Sequence, residues 1–143
     1  MTAEIDIARQ WVAKAQNDLL NADNNLRSEQ IPYDTVCFHC QQAAEKFLKA
    51  YLACRGESPP ITHDLMRLLE SILPSNPEAE ELRDSLALLM PYAVEIRYPD
   101  DWFMPTAEDT QEAREAAESV VKWLGDSMPT LFAECQSDTD ESA

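Results

Sequence analysis

The side chains able to do chemistry fall in three short stretches. His39, Lys46 and Lys49 share one span, His63 follows a proline-containing link, and Arg97 and Tyr98 come late in the chain. Lysine and arginine grip phosphate as permanent cations with several N–H donors, and histidine joins them when protonated. Arg97 has a planar fork that fits a phosphate or a nucleobase. Its structural alternative is a pairing with Glu45 or Asp64 that pins a loop. Tyr98, an aromatic before Pro99, fits packing at a core edge as well as a ligand contact. A further candidate is Cys37-x-x-Cys40, a spacing used by metal and redox sites.

The cysteine pair does not carry such a site. No strand or second CxxC flanks it, and His39 lies between the two thiols instead of after them. A zinc site needs about four ligands, and the chain has two histidines. Both cysteines lie on an apolar stripe, where a free thiol packs as a small hydrophobe. The adjacent Asp100 and Asp101 are too few for magnesium. No metal or cofactor is expected. Gly56 and Gly125 are the only glycines. Glycine-rich phosphate loops need several, so any phosphate must be held by side chains or a helix terminus.

The elements that position these residues read as helices, with no strand. Ala8, Trp11, Ala15, Leu19, Ala22 and Leu26 repeat every three or four residues and predict a helix over 4–28. A second runs from Tyr33 to about Arg55 and ends at Gly56. Its apolar stripe is Tyr33, Val36, Cys37, Cys40, Ala44, Phe47, Leu48 and Tyr51. Thr35, His39, Gln42, Lys46 and Lys49 fall opposite, within roughly 80° at 100° per residue. Phe38 and Glu45 are placed on that polar side too. Phe38, His39, Gln42 and Glu45 are interface candidates, because an aromatic residue on a polar face suits contact with another protein. The bland alternative is a solvated face with a weak Glu45–Lys49 pair.

Thr62 is the expected cap of a short third helix lined by Leu65, Leu68, Leu69 and Ile72. His63 then sits just inside that helix, as a hydrogen-bond partner for the preceding loop or as a ligand contact. Asn76-Pro77 opens a fourth helix with Leu82, Leu86, Leu89 and Ala93 inward, ended or kinked by Pro91. Thr106 and Asp109 form a capping box for the last helix. Its inner face is Ala113, Ala116 or Ala117, Val120, and Trp123 or Leu124. Short links between amphipathic helices indicate an all-α fold: an up-and-down antiparallel bundle of four main helices plus a shorter one. The helical domain is expected over residues 1–128, with 129–143 an acidic tail.

Net charge is −16 over 143 residues. Residues 1–71 carry 7 basic and 10 acidic side chains, and residues 72–143 carry 4 and 17. Such a field disfavours non-specific nucleic-acid binding and suits solubility or a basic partner. The N-terminus MTAEIDIARQ has no apolar leader pattern, and no run reaches the length of a membrane span. A cytoplasmic protein without membrane contact is expected.

Three pieces carry a family resemblance: Gln42-Ala43-Ala44-Glu45-Lys46-Phe47-Leu48-Lys49-Ala50, His63-Asp64-Leu65, and Arg97-Tyr98-Pro99. With Trp11, Ala15, Asp18 and Leu19 upstream, the chain resembles a HEPN domain over residues 5–127. The resemblance implies a helical bundle, a homodimer and, in many members, a minimal nucleotidyltransferase partner. Toxin–antitoxin systems are one setting for such pairs. Many HEPN proteins are ribonucleases with Arg, four to six residues, then His. From Arg97 the histidine would fall at Trp102, Phe103 or Met104, so the motif is absent and no catalytic residue is assigned. The expected function is a dimeric binding module for a nucleotide or such a partner. Arg97, Tyr98, Lys46, Lys49 and His63 would touch the ligand. The alternatives are a metal-independent ribonuclease using Arg97 with His63, and an adaptor without a small ligand.

Overall fold

The computed structural model describes residues 2–93 and 104–133. Its elements are α1 (Ala3–Leu26), α2 (Tyr33–Cys54), α3 (Leu65–Ile72), a 3-10 turn Pro77–Leu82 leading into α4 (Arg83–Leu89), a second 3-10 turn Met90–Tyr92, α5 (Ala107–Ser127) and a last 3-10 turn Pro129–Leu131. No strand occurs among the described residues. The bundle is all-α, as the periodicity implies.

Side-chain pairings fix the helix directions. Trp11 meets Lys49 while Asp18 meets His39 and Lys46, so α1 and α2 run antiparallel. Cys37 meets Thr110 and Tyr51 meets Trp123, so α2 and α5 run parallel. Asp23 meets Arg114 and Arg9 meets Thr130, so α1 and α5 run antiparallel. The most extensive interface joins α1 to α2. Ala8, Ala15 and Ala22 recur every seven residues there without exposure. Their small side chains let the two backbones approach closely.

The ends follow local chemistry. Thr2 Oγ1 accepts from the Ile5 amide at the start of α1. Gly56, at φ +77°, closes α2: its amide donates to Ala53 O, and the Glu57 amide donates to Leu52 O. The Thr106–Asp109 capping box opens α5, with both bonds at 3.0 Å. The cap of α3 is Asp64, not Thr62. Asp64 Oδ1 accepts from the amides of Met66 and Arg67, while Thr62 Oγ1 accepts from the Asp64 amide. Residues 62–64 therefore form a turn before the helix, which places His63 outside α3. The fourth segment begins as 3-10 helix because Ala79 and Leu82 both face inward. Residues three apart share a face at 3.0 residues per turn. Leu82, Leu86 and Leu89 then continue inward at the α-helical period.

The core is leucine-rich: Leu48, Leu52, Leu65, Leu68, Leu69, Leu86, Leu89 and Leu124 are fully buried with Phe47 and Ile72. Both members of the open alternatives on α5, Ala116 with Ala117 and Trp123 with Leu124, face the core. Leu131 is buried and Phe132 packs on Phe47 with ring centroids 6.3 Å apart. Packing thus continues past residue 128. The tail beyond residue 133 lies outside the described residues.

The largest departure from the pattern concerns α2. Its polar side is only partly solvated: Glu45 and Lys49 are buried, as is the neighbouring Gln41, while Thr35, Phe38, His39, Gln42 and Lys46 are half-buried. The helix lies between α1, α5 and α3, so nearly every face meets protein.

The thiols give the first test. Burial pushes Cys40 up to about 12, and it raises Cys37 as well, opposed by its hydrogen bonding with Thr110 and Tyr92. Thiolates, not thiols, react. In native protein at pH 8, iodoacetamide should modify the half-buried Cys54 and spare Cys37 and Cys40, as peptide mass spectrometry would read. Alkylation of Cys40 as fast as Cys54 would contradict this packing. A second test is Thr106→Ala, which removes the α5 cap and should lower unfolding free energy by about 1 kcal/mol in urea.

Candidate functional site

The candidate residues on α2 converge along its seam with α1, where two buried carboxylates organise them. Asp18, the buried polar residue of α1, accepts from His39 Nδ1 at 2.8 Å through Oδ1 and from Lys46 Nζ at 2.6 Å through Oδ2. Glu45 repeats the arrangement. It accepts from His63 Nδ1 at 2.9 Å through Oε1 and from Lys49 Nζ at 3.0 Å through Oε2. Each carboxylate thus bridges one imidazole and one ammonium.

The bonding sets the imidazole tautomers. An ionised carboxylate only accepts, so Nδ1 carries the proton in both rings. Nε2 is left to accept or, on protonation, to donate. His63 has a side chain 72% exposed, so its Nε2 side is open to a ligand. His39 is about 20% exposed and packs edge-on against half-buried Phe38, with centroids 5.4 Å apart. Lys49 Nζ also lies 5.4 Å from the centroid of Trp11, within range of a cation–π contact. An ammonium has three N–H donors. One from each lysine goes to a carboxylate, which leaves donors for another acceptor.

Helix geometry explains the convergence. His39, Gln42, Lys46 and Lys49 share one side of α2. Asp18 reaches it because α1 packs along that side. His63 reaches it through Gln41, which is fully buried. Gln41 Nε2 donates to His63 O at 3.3 Å, and its Oε1 accepts from Gln42 Nε2 at 2.8 Å. The link is thereby held against α2 at the position where the His63 ring meets Glu45.

Among the interface candidates, Phe38, His39 and Gln42 are half-buried. Glu45 has a side chain only 4% exposed and acts within the chain, so it does not supply a surface carboxylate. Arg97 and Tyr98 lie outside the described residues, as do Asp100 and Asp101. No group of three or more metal-ligating side chains occurs among the described residues.

Sequence reading missed Asp18 as an organiser, Gln41 as a clamp and Trp11 as a platform for Lys49. The polar Asp18 among the inward positions of α1 was an available signal. Gln41 had none, since its role depends on where the 56–64 link returns. A further missed pair is Arg114 with Asp23, bidentate at 2.8 and 3.2 Å, which joins α5 to α1. Those bonds raise the Arg114 guanidinium further above its ordinary range.

The HEPN domain model matches residues 8–127, most of the chain and all of this seam. The chain belongs to the HEPN family. A structural relative of this HEPN protein is TT1696 from Thermus thermophilus, known from its crystal structure. The two chains are 28% identical with a TM-score of 0.71, covering 83% of this chain and 96% of the other. No curated protein matches the chain. No helix among the described residues of the HEPN bundle is long and apolar enough to cross a membrane.

The two carboxylate pairs differ measurably from the surface ion pairs. Asp18→Ala leaves Lys46 and His39 facing an empty, largely buried site. It should lower stability by about 2 kcal/mol, a fully buried pair discounted for partial exposure of its partners. Asp23→Ala leaves Arg114 its pair with Glu118, and should lower stability by under about 1 kcal/mol. Urea denaturation of both variants checks the order. A larger loss for Asp23→Ala would contradict the assignment of Asp18 as organiser.

Proposed function

We propose that this HEPN domain is a dimeric binding module that takes a nucleotide phosphate on the α1–α2 seam. The observation that carries the reading is the pair of carboxylate bridges. Lys46 is preorganised by Asp18, partly exposed, and keeps spare donors; the buried Lys49 is held beside it by Glu45, and His63 presents an exposed ring. Preorganised donors lose little conformational freedom when an anion arrives. Arg97 and Tyr98 are candidates to complete the grip from the phosphate or base side. The half-buried Phe38, His39 and Gln42 are proposed to meet a second copy or a minimal nucleotidyltransferase partner. A toxin–antitoxin-like pairing is one setting for that partner.

A second reading has one specific observation behind it. The His63 ring is oriented through Nδ1 by a buried carboxylate and exposes its other nitrogen. That arrangement suits a proton-transfer group. It would serve a metal-independent ribonuclease together with Arg97. A purely structural adaptor is the third reading.

Calorimetric titration with ATP and AMP tests the first. Wild type should bind, Lys46→Ala should bind about tenfold more weakly, and circular dichroism should show the variant folded. Absence of heat at millimolar nucleotide would overturn the ligand reading. Sedimentation should give about twice the 16.2 kDa chain mass at tens of micromolar, and a monomer alone would overturn the dimer. RNA cleavage that is lost in both His63→Ala and Arg97→Ala would favour the enzyme over the binding module.

A further inference from the structure

An apolar surface lies at the start of α1, one helical turn beyond Trp11 and Lys49. It consists of a hole and a knob. The hole is a cleft of about 310 Å³ lined by Ala3, Ile7, Ala53 and Pro59, with Glu4 and Glu57 at its edge. Ile7 is 50% exposed there. The knob is Ile61, fully exposed to solvent two residues past Pro59. Two residues span at most about 7 Å, so knob and hole lie side by side.

Single exposed apolar residues are ordinary, but this one is held in place. Pro59 and Pro60 restrict the backbone on its N-terminal side. On the other side His63 O accepts from the buried Gln41, and Thr62 Oγ1 accepts from the Asp64 amide. The link thus presents Ile61 to water from a fixed backbone. A side chain on a fixed backbone loses little freedom when a partner covers it.

Charge decides what covers it. Net charge is −16, so copies of this chain repel one another over most of their surface. Leu88, another exposed apolar residue, stands among Asp84, Glu112 and Glu115. The hole is different. Glu57 at its edge is neutralised by Arg55 at 3.4 Å. The outer surface of α1 that continues from it is nearly uncharged: Gln10, Ala13, Gln16, Asn17, Asn21 and Asn24 are exposed, and Lys14 is the one charge among exposed residues 10–24. Charged residues are depleted from interface cores. A small ligand in the hole would leave Ile61 in water. A second copy covers knob and hole together, because a twofold contact pairs each feature of one copy with its complement on the other.

We propose that two copies of the chain pair through this face, each inserting Ile61 into the other's hole between Ile7 and Pro59. A stable dimer buries about 800 Å² per partner, so the contact spreads from the two plugs over the uncharged outer side of α1. The proposal rests on the dimer reading above and assigns its surface, which leaves the half-buried Phe38, His39 and Gln42 free for a different partner.

Sedimentation equilibrium of the full chain tests it. Ile61→Asp changes a fully exposed side chain, and Ile7→Lys a half-exposed one. Circular dichroism should show both folded. Each should raise the dimer dissociation constant at least about tenfold, whereas Leu88→Asp should leave it unchanged. Mixing the two variants should restore dimers, since the mixed pair keeps one intact plug and sets Asp at 61 against Lys at 7. A dimer untouched by both single changes would overturn this surface while leaving the dimer itself standing. Failure of the mixture to recover would overturn the reciprocal plug. A wild type that stays monomeric at tens of micromolar would overturn the dimer reading and this surface together.

Discussion

The burial of α2 on nearly every side is the constraint on which the rest of the structure depends. A helix in that position cannot leave polar side chains to water, so Gln41, Glu45 and Lys49 must find partners inside the protein. The partners come from elements far apart in the chain. Asp18 comes from α1, and His63 comes from the link to α3. Satisfying these groups therefore fixes the register of α1 on α2 and the path of the link together. A buried ion pair adds little stability over an apolar equivalent, yet removing one member costs several kcal/mol. The carboxylate bridges thus act mainly as specificity devices, with Lys49 held inside, His39 and Lys46 partly exposed and the His63 ring open to solvent.

The charge distribution separates two surfaces. Along the seam, two carboxylates balance two ammonium groups, and the imidazoles add positive charge when protonated. The excess of acid gathers instead on the second half of the chain, where 17 acidic residues face 4 basic ones. The net negative field repels a phosphate at long range, so the proposed phosphate site would have to offset it with the preorganised donors of the seam. The acidic composition thus argues against non-specific nucleic-acid binding, while the seam keeps its charges balanced locally.

Cys37 and Cys40 illustrate how helical context decides a motif. Three residues apart on α2, both point into the core, where Cys37 donates to Thr110 Oγ1 at 3.7 Å. Burial suppresses their thiolates. A metal site would need the opposite environment, one that favours thiolate and brings further ligands. The apolar stripe was sufficient to read this, because the stripe specifies the neighbours a side chain will have.

What the sequence determined by itself was the local physics. Periodicity established the helices, Gly56 and the Thr106–Asp109 box established two of their ends, and the QAAEK–LK block with His-Asp-Leu pointed to the HEPN family that the match over residues 8–127 shows. These depend on neighbours within one or two turns, and the chain carries them in full. The cap of α3 was misplaced by two residues because Thr62 and Asp64 both suit the role locally; the long-range Gln41 bond to His63 O accompanies the choice of Asp64. Only tertiary structure decided that Glu45 and Lys49 on the polar side of α2 are internal, and that Asp18 and Glu45 each join a lysine to a histidine. The physical reason is that a helical projection gives the direction of a side chain but not what lies there. That is settled when α1 and the 56–64 link pack onto α2.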